Sequence, residues 1–206
     1  MQTSAEATRY LEACQSAFWR RVFAAELDYL LQHLRVDDDI LSVGCGPAII
    51  ERGLIEHGCS VVGLDVSQEA IACASDSIRT IVASAEKMPL GYDSCDVVLF
   101  IASLQFIDNY RLALAETWRV LRPDGRVIAL LLNPAGEFFI RKQAEAGSYV
   151  QKIRHTDLDE MAAAMAERFA VQGEYALGIS DEEVFASSDP ETAALYVLQG
   201  RKPAAP

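Results

Sequence analysis

The sequence predicts an α/β protein, a mostly parallel sheet covered by helices and finished by a C-terminal antiparallel hairpin. Three observations carry this expectation. From Ile40 to Leu132, short and nearly continuous apolar runs alternate with amphipathic helical segments, as strands buried on both faces do. A glycine turn, Val43-Gly-Cys-Gly-Pro47, joins the first run to a helix. The last two strand-like runs, Phe169–Leu177 and Thr192–Gln199, have no helix between them, which favours antiparallel pairing.

Taken in order, Ala7–Leu34 reads as helix, because Leu11, Phe18, Val22, Phe23, Leu27, Leu30, Leu31 and Leu34 recur at helical spacing. Ile40–Val43 is the first strand. Ala48–His57 is a helix, with Gly58 as its stop. Ser60–Leu64 is a strand ending at Asp65, and Ser67 caps a helix reaching about Ser75. Thr80–Ala83 and Asp96–Ile101 are strands. Tyr110–Leu121 is a helix stopped by Arg122-Pro-Asp-Gly125, and Arg126–Leu132 is the fifth strand. Thr156 and Asp159 have the spacing of a helix cap, for a helix to about Arg168.

The bulk numbers describe an ordinary globular chain: 206 residues, 51% hydrophobic and 23% charged. A net charge of -12 repels phosphate backbones and anionic lipid, so neither nucleic acid nor membrane is the expected partner. The N-terminus lacks a basic stretch followed by an apolar run, and the longest apolar run, Val127–Leu132, is far too short to span a bilayer. Five cysteines without metal-ligand spacing read as reduced thiols of a cytoplasmic protein. His33 and His57 fall near helix C-termini, where a histidine complements the dipole.

The glycine turn offers bare backbone and a helix N-terminus to a ligand. In an open parallel sheet that ligand lies beyond the carboxyl ends of the strands. Asp65, at the end of the next strand and nineteen residues past Gly46, is placed to accept two ribose hydroxyls. This spacing suits a dinucleotide or an adenosyl cofactor. A dinucleotide fingerprint wants a small residue where Ile49 stands.

Four segments then resemble, in order, the class I S-adenosylmethionine-dependent methyltransferases of the small-molecule, type 11 group. They are Val43-Gly-Cys-Gly-Pro47, Val62-Gly-Leu-Asp-Val-Ser67, Ala83-Ser-Ala-Glu-Lys-Met-Pro-Leu90 with Asp93-Ser-Cys-Asp-Val-Val98, and Ala115-Glu-Thr-Trp-Arg-Val-Leu-Arg-Pro-Asp-Gly-Arg126. The resemblance implies a Rossmann-like, doubly wound sheet of seven strands in a single domain. Within it, residues 1–36 would be a lid helix, 37–133 the cofactor core, 134–155 a substrate or lid insertion, and 156–206 the last helix and hairpin. It implies S-adenosylmethionine as cofactor and methyl transfer to a small molecule, or, as an alternative, a non-catalytic domain binding that cofactor or S-adenosylhomocysteine.

By position, Gly44, Cys45 and Gly46 would approach the methionine part of the cofactor. Asp65 would hold the ribose, Val66 would pack on adenine, Ser84 and Ala85 would edge it, and Ile101 and Ala102 would lie by the sulfonium. Substrate contacts implied are Tyr10, Trp19, Gln105, Phe106, Arg141 and Tyr149, with Arg141 and Arg154 suited to an anionic acceptor. No catalytic residue and no metal ligand is legible, and the oligomeric state is open. The chain departs from the family at Ser42 and Ser84, where an acid is common, and at Ala48, where glycine is usual. Alanine suits position 48 if it opens the helix with negative φ.

Overall fold

A computed structural model describes residues 14–204 apart from 75 and 77. Helix α1 is Ala17–Leu31, followed by β1, Asp39–Val43, α2, Ile49–Glu56, and β2, Ser60–Asp65. The one-turn helix α3, Gln68–Ile71, leads to β3, Arg79–Val82, and then β4, Cys95–Ile101. A 3-10 turn at Leu104–Phe106 precedes α4, Tyr110–Val120, and β5, Leu121–Leu132. Helix α5, Glu137–Ala144, and a 3-10 turn at Tyr149–Lys152 lead to α6, Leu158–Ala166. The chain closes with β6, Ala170–Ser180, β7, Glu183–Phe185, and β8, Ala193–Arg201.

The strands form one mixed sheet in the order β3-β2-β1-β4-β5-β8-β6-β7. β1 pairs parallel with both β2 and β4, so Leu41 has Val62 on one side and Val98 on the other. The chain winds outward in opposite directions from β1 and β4, which opens a crevice above their carboxyl ends. Side chains alternate across the sheet. Leu41, Val43, Val98, Phe100, Val127 and Leu131 face α4 and α6 through Tyr110, Leu114, Met161 and Met165. Ile40, Val97, Leu99, Ile128 and Leu130 face the opposite way, onto Val22, Leu30, Ile50, Leu54 and Phe138. Both faces of the central strands are therefore dry, which explains why they read as unbroken apolar runs.

The sheet has eight strands rather than seven. β6 runs on to Ser180 and turns through Asp181, φ 51°, into β7, with Ser180 opposite Glu183. An aspartate takes the left-handed turn position there, so no glycine or proline marks it. β8 then lies between β5 and β6, antiparallel to both. β5 begins at Leu121, which already pairs with Cys95 before the register shifts around Arg122–Gly125. The expected first helix is interrupted after Cys14 and resumes at Ala17, because Ser16 is extended and its hydroxyl accepts from Trp19 N at 3.2 Å. Residues 7–13 of the expected helix, and Ser75, lie outside the described residues. The cap of α6 is Asp157, accepting from Glu160 N at 2.9 Å, rather than Thr156.

Candidate functional site

The turn between β1 and α2 is built by three left-handed residues, Gly44 at φ 75°, Gly46 at 52° and Ala48 at 55°. Leu64 O accepts from both Gly44 N and Cys45 N, at 2.7 and 3.2 Å. This folds the chain back across β2. A methyl at Gly44 would lie 2.5 Å from Ser103 Cβ, and Ser103 Oγ donates to Val43 O at 2.6 Å. Glycine is thus required there by close approach as well as by φ. A methyl at Gly46 would meet nothing within 4 Å, so that residue faces open space. Ala48 does not open the helix with negative φ. It caps α2 from the left-handed region with its methyl buried, so the helix starts one residue later, at Ile49.

Asp65 ends β2 beside this turn. Its Oδ2 accepts from Gly46 N at 2.8 Å and its Oδ1 from Ser67 N at 2.8 Å. A carboxylate has about four lone-pair directions, so each oxygen keeps one for a further donor such as a ribose hydroxyl. Val66 next to it is 74% exposed, an apolar side chain left ready for a flat partner.

Two cavities open here. One, of about 450 Å³, is lined by Asp65, Val66, Ser84, Ala85, Glu86 and Arg154 among others. The second, of about 380 Å³, lies under α1 and is mostly apolar, with Trp19, Phe23, Phe138, Tyr149, Leu132 and Leu195 in its walls together with Cys45, Gly46 and Ile101. Gly44, Ala102 and Phe106 line both. The glycine turn and the end of β4 are the threshold between a polar-edged and an apolar chamber.

Two acids stand in the apolar chamber. Glu51, on α2, is 3% exposed and accepts from Ser42 Oγ at 2.6 Å. Burial pushes its carboxyl up to about 7, against the pull of the Ser42 hydrogen bond. Glu26, on α1, is 6% exposed, and burial followed by the nearby Glu51 pushes it up to about 8. Burial, and then Glu51 and Asp65, push the Cys45 thiol far up, which leaves it an inert filler of the turn. Ser84 Oγ accepts from Glu86 N at 3.1 Å. A glutamate carboxyl touches Ser42, whereas at Ser84 the contact is with the Glu86 backbone and the Glu86 carboxylate accepts from Asn109 N at 2.8 Å. Glu51 reaches the place from α2, and Glu86 lies two residues further along the cavity wall.

Trp19, Phe106 and Tyr149 line the apolar chamber. Gln105 does not. It is wholly buried, its Oε1 accepts from Leu132 N at 2.7 Å, and its Nε2 donates to the carbonyls of Leu132 and His155. It fastens the end of β4 to that of β5. Arg141 points away to Asp181, 3.6 Å distant, and Arg154 pairs with Asp108. Tyr10 lies outside the described residues. His155 Nε2 donates to Ile107 O at 2.9 Å and its ring packs on Tyr110, a bracing role. His33 and His57 donate from Nδ1 to the carbonyls of Tyr29 and Gly53, each at 2.8 Å, in the last turns of α1 and α2. Among the described residues no cluster of three metal-ligating side chains exists.

Reading the sequence left out Glu26 and Glu51. A signal existed for Glu26: Val22, Glu26 and Leu30 recur every four residues, so an acid sits on the buried stripe of a helix.

Residues 41–129 match a family described as methyltransferase domain. Over that segment the chain is similar to the methyltransferase domain. Its curated relatives include a malonyl-[acyl-carrier protein] O-methyltransferase of Enterobacter lignolyticus, 34% identical over 89 residues, covering 42% of this chain and 36% of that protein. A 27-O-demethylrifamycin SV methyltransferase of Amycolatopsis mediterranei is 31% identical over 151 residues, covering 65% and 54%. The chain spans about half, or less, of the length of these relatives. Among solved structures, a SAM-dependent methyltransferase of Thermotoga maritima, titled a possible histamine N-methyltransferase, superposes with a TM-score of 0.80 over 95% of both chains at 18% identity. A SAM-dependent methyltransferase from Archaeoglobus fulgidus gives 0.75 at 12% identity, covering 95% of this chain and 99% of that one. Identities that low show the fold alone.

The cofactor this family implies is S-adenosylmethionine, and the residues present fit it. The turn at Gly46 presents backbone to open space, Asp65 retains free lone pairs, and Val66 is exposed beside them. The threshold residues Gly44 and Ala102 join two chambers, as a ligand with a nucleoside end and a reactive end requires.

Proposed function

We propose that this protein is a methyltransferase that moves the methyl group of S-adenosylmethionine to a small-molecule acceptor held in the apolar chamber under α1. The observation that carries this reading is the meeting of the two chambers at Gly44, Ala102 and Phe106. Asp65, Val66, Ser84 and Ala85 would hold the adenosine part, and Gly44, Cys45 and Gly46 the methionine part, with Ile101 and Ala102 at the junction. The cofactor, when bound, supplies an electrophilic methyl group. What remains for this chain is orientation and exclusion of water. Trp19, Phe23, Phe138 and Tyr149 supply dry walls for an acceptor, and Ser103, through Val43 O, fixes the end of β4 against the turn.

Ser42 and Ser84 do not favour a binding-only domain. Ser42 donates to the Glu51 carboxyl, so that position keeps an acid beside it, and Glu86 lines the same cavity as Ser84 with its carboxylate accepting from Asn109 N. Five cysteines without metal-ligand spacing support a cytoplasmic protein, and a net charge of -12 supports one with no nucleic-acid partner. No helix among the described residues is long and apolar enough to cross a membrane. Calorimetric titration with S-adenosylmethionine, S-adenosylhomocysteine and NAD tests the reading. Micromolar binding of the two adenosyl compounds is expected, and absence of binding by both at millimolar concentration would defeat it.

A further inference from the structure

Methyl transfer as such needs no acid in the acceptor chamber, yet Glu26 is there. Its carboxyl is 6% exposed and lines the chamber, and no hydrogen bond or ion pair reaches it from the described residues. It comes from α1, on the same helix as Trp19, Val22 and Phe23, and its charge is felt by Tyr149, whose phenol is pushed up by burial and then by Glu26. The rings around it form a connected wall. Trp19 stacks on Phe23 at 5.7 Å and meets Phe138 and Tyr149 edge-on at 6.3 and 5.9 Å.

Among the described residues the chamber is also one-signed: they bring Glu26 and Glu51 to its walls but no arginine, lysine or histidine. From the described walls an anionic acceptor would find two acids and no counter-charge, and a neutral one would leave Glu26 without a partner among them. A buried polar group without a partner is unfavourable, and a cation within reach relieves it. Aromatic faces attract cations as well.

We propose that the chamber selects a methyl acceptor carrying a protonated amine on an apolar or aromatic skeleton, and that Glu26 is the specificity residue that pairs with the amine. The proposal rests on the methyltransferase reading above. The ammonium of the cofactor is the other source of the same chemistry. Glu51, which sits on α2 behind the glycine turn with Ser42 as its donor, is the acid placed for that group, and Glu26 is placed for the acceptor. The wall that Glu26 shares with Trp19, Phe23 and Tyr149 excludes the anionic acceptor that Arg141 and Arg154 suggested from sequence, because neither arginine reaches this chamber.

The test uses the full chain saturated with S-adenosylhomocysteine, so that no turnover intervenes. Matched probes are titrated calorimetrically: 2-phenylethylamine, 2-phenylethanol and phenylacetate, then the corresponding indolyl and cyclohexyl sets. The amine of at least one set is expected to bind tenfold or more tightly than its alcohol, with no binding of the carboxylate. Glu26→Gln is expected to abolish the amine-over-alcohol preference, to keep S-adenosylhomocysteine affinity within twofold, and to keep a cooperative thermal transition. Equal binding of amine and alcohol, no binding by any amine, or a preference that survives in Glu26→Gln would each overturn the proposal. A tenfold loss of S-adenosylmethionine affinity in Glu26→Gln with the acceptor preference intact would overturn it in favour of the cofactor's ammonium. Failure of the wild-type chain to bind S-adenosylhomocysteine at all defeats the methyltransferase reading instead, and is seen before any probe is added.

Discussion

At the scale of single residues, Ala48 is a compromise with opposing terms. The left-handed conformation is unfavourable by about 1–2 kcal/mol for an L residue. Its methyl is buried, which recovers about 0.8 kcal/mol, and glycine would add unfolded-state freedom worth roughly 0.4–1 kcal/mol. These terms nearly cancel, so Ala48→Gly should leave the melting temperature within a few degrees of wild type. Ala48→Val, whose branched side chain cannot relax there, should lower it well beyond that. Gly44→Ala faces both a positive φ and the 2.5 Å approach to Ser103 Cβ. It should be destabilised by about 2 kcal/mol or more, readable as a shifted denaturant midpoint. Asp65→Asn keeps the shape but aims an N–H at one of two backbone donors, Gly46 N or Ser67 N. Hydrogen bonds to a charged group contribute about 1.5–3 kcal/mol, so S-adenosylhomocysteine affinity should fall roughly 10- to 100-fold. Undiminished affinity in calorimetry would remove Asp65 from the site. The sequence alone marked Asp65 and the glycines, because strand end, spacing and turn chemistry agree there. It could not give the backbone angle of Ala48, since alanine carries no local signal for a left-handed turn.

At the scale of elements, α1 shows where periodicity informs and where it misleads. Its apolar spacing correctly marks a helix that covers the sheet, but the break at Ser16 was hidden because apolar residues continue through it. The same stripe carries Glu26, whose folded pKa of about 8 lies above the ordinary carboxylate value. The sign follows: the protonated form is the one favoured in the fold, so its contribution is intact below about pH 4.5 and is lost as pH rises through about 8. Glu51, at about 7, acts in the same direction. Ligand-free protein should therefore melt progressively lower from pH 5 to pH 8, with a loss on the order of 5 kcal/mol if both acids contribute. Glu26→Gln should flatten that slope, with its advantage over wild type largest at pH 8 and near zero at pH 5. Parallel slopes for the two proteins by differential scanning calorimetry would contradict the burial of this acid. Helix α3 and strand β7 were the least legible elements. One is a single turn, and the other depends on Asp181 turning without glycine.

At the scale of the whole molecule, the doubly wound sheet was legible because burial on both faces removes the alternation of polar and apolar residues, and only a covered parallel sheet does this over several runs. The place of β8 between β5 and β6 was not, since antiparallel pairing of the last two strands leaves open which of them meets the core. The acceptor chamber was illegible for a related reason. Trp19, Phe138, Tyr149 and Leu195 come from four separate parts of the chain, and nothing local ties them together. If the two chambers hold one ligand, binding should stabilise the entire sheet. At 100 times its Kd, S-adenosylhomocysteine adds about 2.7 kcal/mol, which for a chain of this size raises the melting temperature by roughly 5–10 °C. A shift below one degree at saturation would refute that linkage. The two backbone hydrogen bonds of Asp65 have a kinetic consequence. The one from Gly46 N ties the turn after β1 to the end of β2, the one from Ser67 N holds the turn after β2 in place, and freezing a residue's backbone costs about 1–2 kcal/mol of entropy. That ordering is complete once the chain has folded. The nucleoside end of an arriving molecule meets a rigid mould, the freedom lost on association is mainly its own, and encounter rather than rearrangement governs how fast that end docks.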